Sequence, residues 1–394
     1  MTTKLVKMLP KITVWRAIFA AILLSGAYAT YLRIFYGLGG STNLSDKFPW
    51  GLWIGFDVMC GVGLAAGGFT LVAMVHIFNI RQYRPVLRPA ILTAFLGYLL
   101  VTLGLVYDLG RPDRLWHPLV MWNPHSVMFE VAWCVMLYST VLFLEFLPIV
   151  FERFSLHKPM EWIHRISVPM MILGVLLSTL HQSSLGTLFL IVPEKLYPLW
   201  YTPILPLLFF VSAIAVGLAM TIFESWHSSR AFGRALELPL LASLGRVLAV
   251  AMSVYLWIRF LDLLHRDAFG LLLRNRTETW LFLLEIALAV VPTALLYQSR
   301  IRRSPAALYF CAVMVVFSFI ANRLNVSITG LEAGSGTHYM PKWSEVAVTL
   351  SLVAVGFAIF RVIGQYFPVF EAHTPQSAPE HSLEETEVDP LAVG

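Results

Sequence analysis

Ten apolar stretches of about twenty residues dominate this chain and limit what it can become. They fall at roughly 13–37, 50–79, 89–108, 124–150, 163–182, 203–226, 244–264, 279–299, 306–327 and 344–367. A helix of ~20 residues crosses the ~30 Å hydrocarbon core of a bilayer, where a segment must satisfy its own backbone hydrogen bonds. Composition agrees: of 394 residues, 58% are hydrophobic and 13% charged, against roughly 25% charged in a soluble domain. The expected fold is therefore an all-α polytopic membrane protein with about ten transmembrane helices. Prolines in "FPWG", "RPA", "NPHS" and "SPAA" mark helix starts, since a first-turn residue has no N–H partner to lose.

The net charge of +5 sits in short loops between apolar runs. It points to membrane lipids and not to nucleic acid. Lys and Arg crowd alternate loops, including Arg81, Arg84, Arg88, Arg153, Lys158, Arg230, Arg234, Arg300, Arg302 and Arg303. By the positive-inside rule these loops and both termini face the cytoplasm. "LLSGAYAT" resembles a signal-peptide cleavage region, but the apolar stretch runs on to about Gly40, so it reads as a retained helix. The acidic tail, "EAHTPQSAPEHSLEETEVDPLAVG", cannot bury enough apolar surface to order itself. Cys60, Cys134 and Cys311 lie singly in apolar runs and offer no disulfide, zinc or iron–sulfur framework.

Polar residues inside the spans carry the functional signal, because a charge at the bilayer centre costs ~3 kcal/mol or more. "NPHSVMFEVAWC" sets Glu130 about two turns inside the fourth span. Asp57 lies at similar depth in the second, Asp108 ends the third with Tyr98 below it, and His181 and Gln182 end the fifth. Four successive helices thus place polar groups in the outer half. Arg259, Asp262, Glu285 and Arg323 repeat the trend later, with Glu285 placed like Glu130. The expected organisation is an N-terminal segment and first helix (1–49), two similar four-helix units (50–182 and 203–327), a final helix (344–367) and a disordered tail (368–394).

Glu130 reads either as a structural hydrogen-bonding group or as an acid that exchanges protons with a bound substrate. His181, in "STLHQSSLG", reads as a helix-end cap or as a donor to a ligand carbonyl. Arg259, Asp262, Glu285 and Arg323 are expected to form structural ion pairs. His76, Glu145 and Glu224 lie toward the inner side, as headgroup-facing residues or as a proton path. Facing histidines for a bis-histidine haem show no repeated spacing. A secondary transporter is a rival, though such proteins have helices broken at the midplane.

The motifs "FPWGLWIGFDV", "YDLGRPDR", "NPHSVMFE" and "LHQSSLGTL" together resemble the NrfD/polysulfide-reductase family of membrane subunits, and within it the hydrogenase-2 (HybB) type. The resemblance covers about residues 30–367. It implies two four-helix bundles plus extra helices, no haem or metal in the chain, and a quinone site (menaquinone or ubiquinone) near the outer face of the first bundle. The implied partners are a periplasmic, ferredoxin-like iron–sulfur subunit and a catalytic subunit such as a nickel–iron hydrogenase, at a bacterial inner membrane. Carried onto this sequence, Glu130 and His181 are its catalytic pair and Asp57 and Tyr98 border the quinone, while Gln182 and Asp108, in the same outer half, are further cofactor-binding candidates. The chain has "NPHS" where relatives often have "NVNS", and a shorter stretch between Gly110 and Asn123 than the hydrogenase type implies.

Overall fold

The computed structural model describes residues 13–191 and 194–370. Among them are ten helices long and apolar enough to cross a membrane. These are α1 (Val14–Ser41), α2 (Trp53–Ile77), α3 (Arg81–Asp108), α4 (Val127–Arg153), α5 (His157–Leu190), α6 (Leu205–Ala231), α7 (Leu238–His265), α8 (Thr277–Tyr297), α9 (Pro305–Ser335) and α10 (Trp343–Tyr366). Odd-numbered helices start at one end of the bundle, called the basic end after its arginine-rich loops. Even-numbered helices start at the other, the loop end. The acidic stretch 371–394 lies outside the described residues.

Helix number and order match the expectation, but several extents do not, and three of these differences move the polar residues. α5 runs on to Leu190 instead of stopping at 182, because the "HQSS" polar groups are spent inside the helix. Ser183 and Ser184 hydroxyls donate to the carbonyls of Thr179 and Leu180, at 2.9 and 2.7 Å. α9 passes through a π turn, Asn325–Thr329, and continues to Ser335. α4 starts at Val127, capped by Ser126, whose side chain accepts from the Phe129 N–H. Glu130 is therefore in the first turn and not two turns deep.

α2 is the most enclosed helix and packs on α3, α5, α6, α9 and α10. α3, α4 and α5 complete one four-helix group with it. α6, α7, α8 and α9 close a second group, and α1 pairs with α10 along the flank of α3. α2 is also irregular. It opens and closes in π geometry (Trp53–Val58 and Ala73–Ile77) and breaks between Met59–Leu64 and Gly67–Val72. At the break Ala66 N–H bonds the Gly63 carbonyl, at 2.9 Å, and Gln182 Nε2 reaches the Val62 carbonyl, at 3.1 Å. Gly67 and Gly217 let α2 and α6 touch backbone to backbone: a Cβ on Gly217 would lie 2.7 Å from the Gly67 nitrogen. Small residues permit such approach in membranes.

The second group is held by hydrogen bonds around one acid. Glu285 accepts from Trp200 Nε1 (3.0 Å), Asn322 Nδ2 (2.8 Å) and Asn325 Nδ2 (3.0 Å). Arg323 lies between the Phe209 and Phe319 rings and donates to Asn322 Oδ1, Ser212 Oγ and the Phe209 carbonyl.

Two stability outcomes follow. Gly217→Ala meets backbone that cannot yield and is expected to destabilise by about 1–3 kcal/mol. Gly39→Ala meets nothing within 4 Å and serves as a neutral control; thermal unfolding in detergent compares them. Glu285→Ala strands three buried donors and is expected to cost on the order of 3 kcal/mol, read as lost folded yield and a lower unfolding temperature.

Candidate functional site

α3, α4 and α5 meet along a seam that gathers three of the sequence candidates. Tyr98 and His181 face each other at matching depth, each ~14 Å from the loop end of its helix. The Tyr98 hydroxyl and His181 Nδ1 are 2.8 Å apart. Both residues are buried, and His181 Nε2 has no hydrogen-bond partner. One turn further along α5, Ser184 Oγ and Glu130 Oε1 share a hydrogen bond of 2.5 Å. Glu130 itself is exposed at the loop end. The arrangement is thus an acid at the rim, a serine link, and a buried imidazole held by a phenol.

The other candidates separate from this seam. Gln182 bonds the α2 backbone, as above. Asp57 faces a different side of α3, where its Cβ packs on Gly104, and its Oδ2 accepts from Thr349 of α10 at 2.8 Å. Asp108 keeps a buried Oδ1 without a partner and lies within electrostatic range of Arg33 and Glu345. Glu345 is fully buried and accepts from the Asn43 N–H and the Tyr339 hydroxyl. Burial and the bond to Glu345 raise the Tyr339 phenol well above its ordinary range. Glu345 and Tyr339 escaped the sequence reading because Tyr339 lies in a loop and Glu345 in the first turn of α10, where an acid looks like ordinary helix capping.

A cavity of 490 Å³ opens between α2, α3, α6 and α10. It touches Asp57 toward one end and Glu224, His227 and Arg361 toward the basic end, and its other lining residues are apolar except Thr93 and Ser228. Glu130, Tyr98 and His181 do not line it. Glu224 is buried, both its oxygens lack partners, and it also lines the two smaller adjoining cavities. Glu145 lies half-buried against Gly174 of α5. His76 is exposed in the last turn of α2.

The expected ion pairs among Arg259, Asp262, Glu285 and Arg323 need correction. Among the described residues no ion pair joins these four. Asp262 pairs with Arg266, at 2.6 Å, one turn along its own helix. Arg259 donates to the Leu199 carbonyl and faces the Phe282 ring. Glu285 and Arg323 take neutral partners instead. Burial explains the choice, since amide, indole and carbonyl groups satisfy a charge with no second ion to desolvate. Glu285 and Glu130 share a sequence offset but not an environment: one is enclosed and fully bonded, the other open at the rim.

Comparison with known proteins agrees with the motifs. Residues 40–333 match the family described as polysulphide reductase, NrfD. The chain is 32% identical over 343 residues to the probable Ni/Fe-hydrogenase 2 b-type cytochrome subunit of Escherichia coli, covering 86% of this chain and 87% of that one. It is 28% identical over 400 residues to the menaquinone reductase integral membrane subunit of Nitratidesulfovibrio vulgaris, covering 94% of each. It is 26% identical over 237 residues to the Hdr-like menaquinol oxidoreductase integral membrane subunit of Archaeoglobus fulgidus, covering 60% of this chain and 56% of that one. With ten membrane-spanning helices and a match over most of its length, this chain is a multi-pass integral membrane protein and belongs to the NrfD family.

Proposed function

We propose that this chain is the quinone-reactive membrane subunit of a respiratory oxidoreductase complex. It exchanges electrons between an iron–sulfur subunit docked at the loop end and the quinone pool, and is not catalytic alone. The loop end faces outward and the basic end faces the cytoplasm of a bacterial inner membrane, in keeping with the positive-inside rule. The carrying observation is the Glu130–Ser184 hydrogen bond beside a His181 whose Nε2 is unpartnered. A buried unpartnered nitrogen costs ~1–3 kcal/mol unless a ligand completes it. A quinone oxygen does so, and Glu130 at the rim exchanges one of the two protons of the two-electron reaction. Relatives named for menaquinone and menaquinol support the substrate class; a nickel–iron hydrogenase is one candidate for the catalytic partner.

The transporter alternative draws on the broken helix α2. Family membership and the filling of that break by Gly217 and Gln182 weigh against it. The haem alternative needs two facing histidines. Among the described residues His181 is the one buried histidine, and its Nδ1 is engaged by Tyr98. A reduced-minus-oxidised spectrum of the purified chain is expected to lack a haem band.

A second reading concerns coupling. Unpartnered Glu224 sits where the 490 Å³ cavity, which reaches Asp57, meets the basic end. This supports proton uptake from the cytoplasm during turnover.

Glu130→Gln removes the proton-exchanging group. Quinone-linked electron flow in the intact complex is expected to fall by about 100-fold or more, while donor-to-dye activity and subunit assembly persist. Wild-type quinone turnover in this variant would remove Glu130 from the chemistry. Glu224→Gln is expected to lower the membrane potential formed by complex-bearing vesicles. An unchanged potential rejects the coupling reading.

A further inference from the structure

The α3–α4–α5 seam continues past His181 toward the basic end, and what lines it there is unusual for an apolar bundle. On α5, Gly174, Ser178 and His181 are spaced four and three residues apart, so they share one face. On α4, Tyr138, Val141 and Glu145 are spaced three and four apart and share another. The two faces meet: a Cβ on Gly174 would lie 3.2 Å from Val141 Cγ1, 3.5 Å from Glu145 Oε1 and 3.8 Å from Tyr138 Cε2. The Tyr138 ring packs edge-on against Tyr98, with centroids 4.6 Å apart and planes at 80°. Ser178 is fully buried on this shared face, about one turn from both Gly174 and His181, and its hydroxyl has no hydrogen-bond partner. Tyr98 and Tyr138 are also buried.

We propose that Tyr98, Ser178 and Tyr138 form a hydroxyl relay that carries protons between Glu145 and His181. The proposal rests on the reading of His181 as a quinone-binding residue and adds the route by which that histidine is resupplied. Each hydroxyl has one proton to give and lone pairs to receive another, which a relay requires. During quinone reduction, His181 Nε2 gives a proton to the substrate oxygen and Nδ1 takes the phenolic proton of Tyr98. Tyr98 takes the proton of Ser178, and Ser178 takes that of Tyr138. Tyr138 is replenished from Glu145 through one water molecule. No heavy-atom bond changes, the electrons come from the iron–sulfur partner, and Glu145 ends one proton short. It regains that proton from the basic end, which lies ~12 Å away along α4. Quinol oxidation runs every step in reverse. Neither Tyr138 nor Ser178 touches the substrate; both act through His181.

The intact complex tests this with quinone turnover, donor-to-dye activity and solvent deuterium effect measured side by side. Tyr138→Phe keeps the ring and removes one hydroxyl. Its quinone kcat is expected to fall about tenfold or more, with KM and dye activity unchanged and a larger solvent isotope effect. Ser178→Ala should act in the same direction, and Ser178→Thr, which keeps a hydroxyl, should restore most of the rate. A Tyr138→Phe complex with wild-type kcat overturns the relay, as does one in which only KM changes. Glu130→Gln and His181→Ala separate the two levels. If they abolish quinone turnover and Tyr138→Phe does not, the relay alone fails. If they leave it intact, the site reading fails.

Discussion

A helix enclosed on every side must find all its partners within the protein, and α2 sets this constraint for the rest of the molecule. In hydrocarbon an unsatisfied backbone group costs several kcal/mol, yet α2 is broken near its middle. The break is tolerated because neighbours come to it: Gly217 admits the α2 backbone directly, and Gln182 supplies a hydrogen bond to Val62. Thr349 of α10 holds the Asp57 carboxyl two turns earlier. Three helices are thus fixed in register by one irregular one. Because α5 is fixed through Gln182, the adjacent His181 is fixed as well, and with it the seam that faces α3 and α4.

This dependence explains what could be read from the sequence. Helix number and order were plain, because twenty-residue apolar runs have few other uses. The ends of α5 and α9 were not, because "HQSS" and "NRLN" look like a chain leaving the membrane. In the fold these polar groups turn inward, where serine hydroxyls bond their own helix and asparagines bond Glu285. A sequence shows that a residue is polar but not which neighbour will satisfy it. The same gap hid Tyr138 and Ser178, since a tyrosine and a serine in an apolar helix are commonplace one at a time. Their meaning depends on two helix faces meeting at Gly174. The glycines of α2 permit close packing but give no sign of the break.

The two four-helix groups show how one architecture supports opposite electrostatic outcomes. Glu285 is surrounded by three neutral donors. That environment holds a carboxyl in place and leaves it no route to exchange a proton. Glu130 has a single described partner, Ser184, and an open side at the loop end. It has room to change partners. A structural acid is over-supplied with hydrogen bonds, whereas a working acid is under-supplied. By that criterion Glu224, with both oxygens buried and unpartnered, and Asp108, with Oδ1 so placed, are candidates alongside Glu130 and not structural acids like Glu285.

His181 carries the argument one step further. Its bond to Tyr98 can be made in either neutral tautomer. If the phenol donates to Nδ1, then Nε2 bears the hydrogen and suits a carbonyl oxygen. If Nδ1 donates to the phenol, then Nε2 is an acceptor and suits a hydroxyl. Those are the oxygen functions of a quinone and of a quinol. A proton given up at Nε2 and another taken at Nδ1 from Tyr98 together convert one tautomer into the other without moving a ring or breaking the contact. On the proposed assignment of His181 to the quinone, one buried imidazole backed by a phenol complements both redox forms, and its preference is set by where the proton rests. An arginine or lysine at this position would donate in both states and offer no acceptor to the quinol hydroxyl.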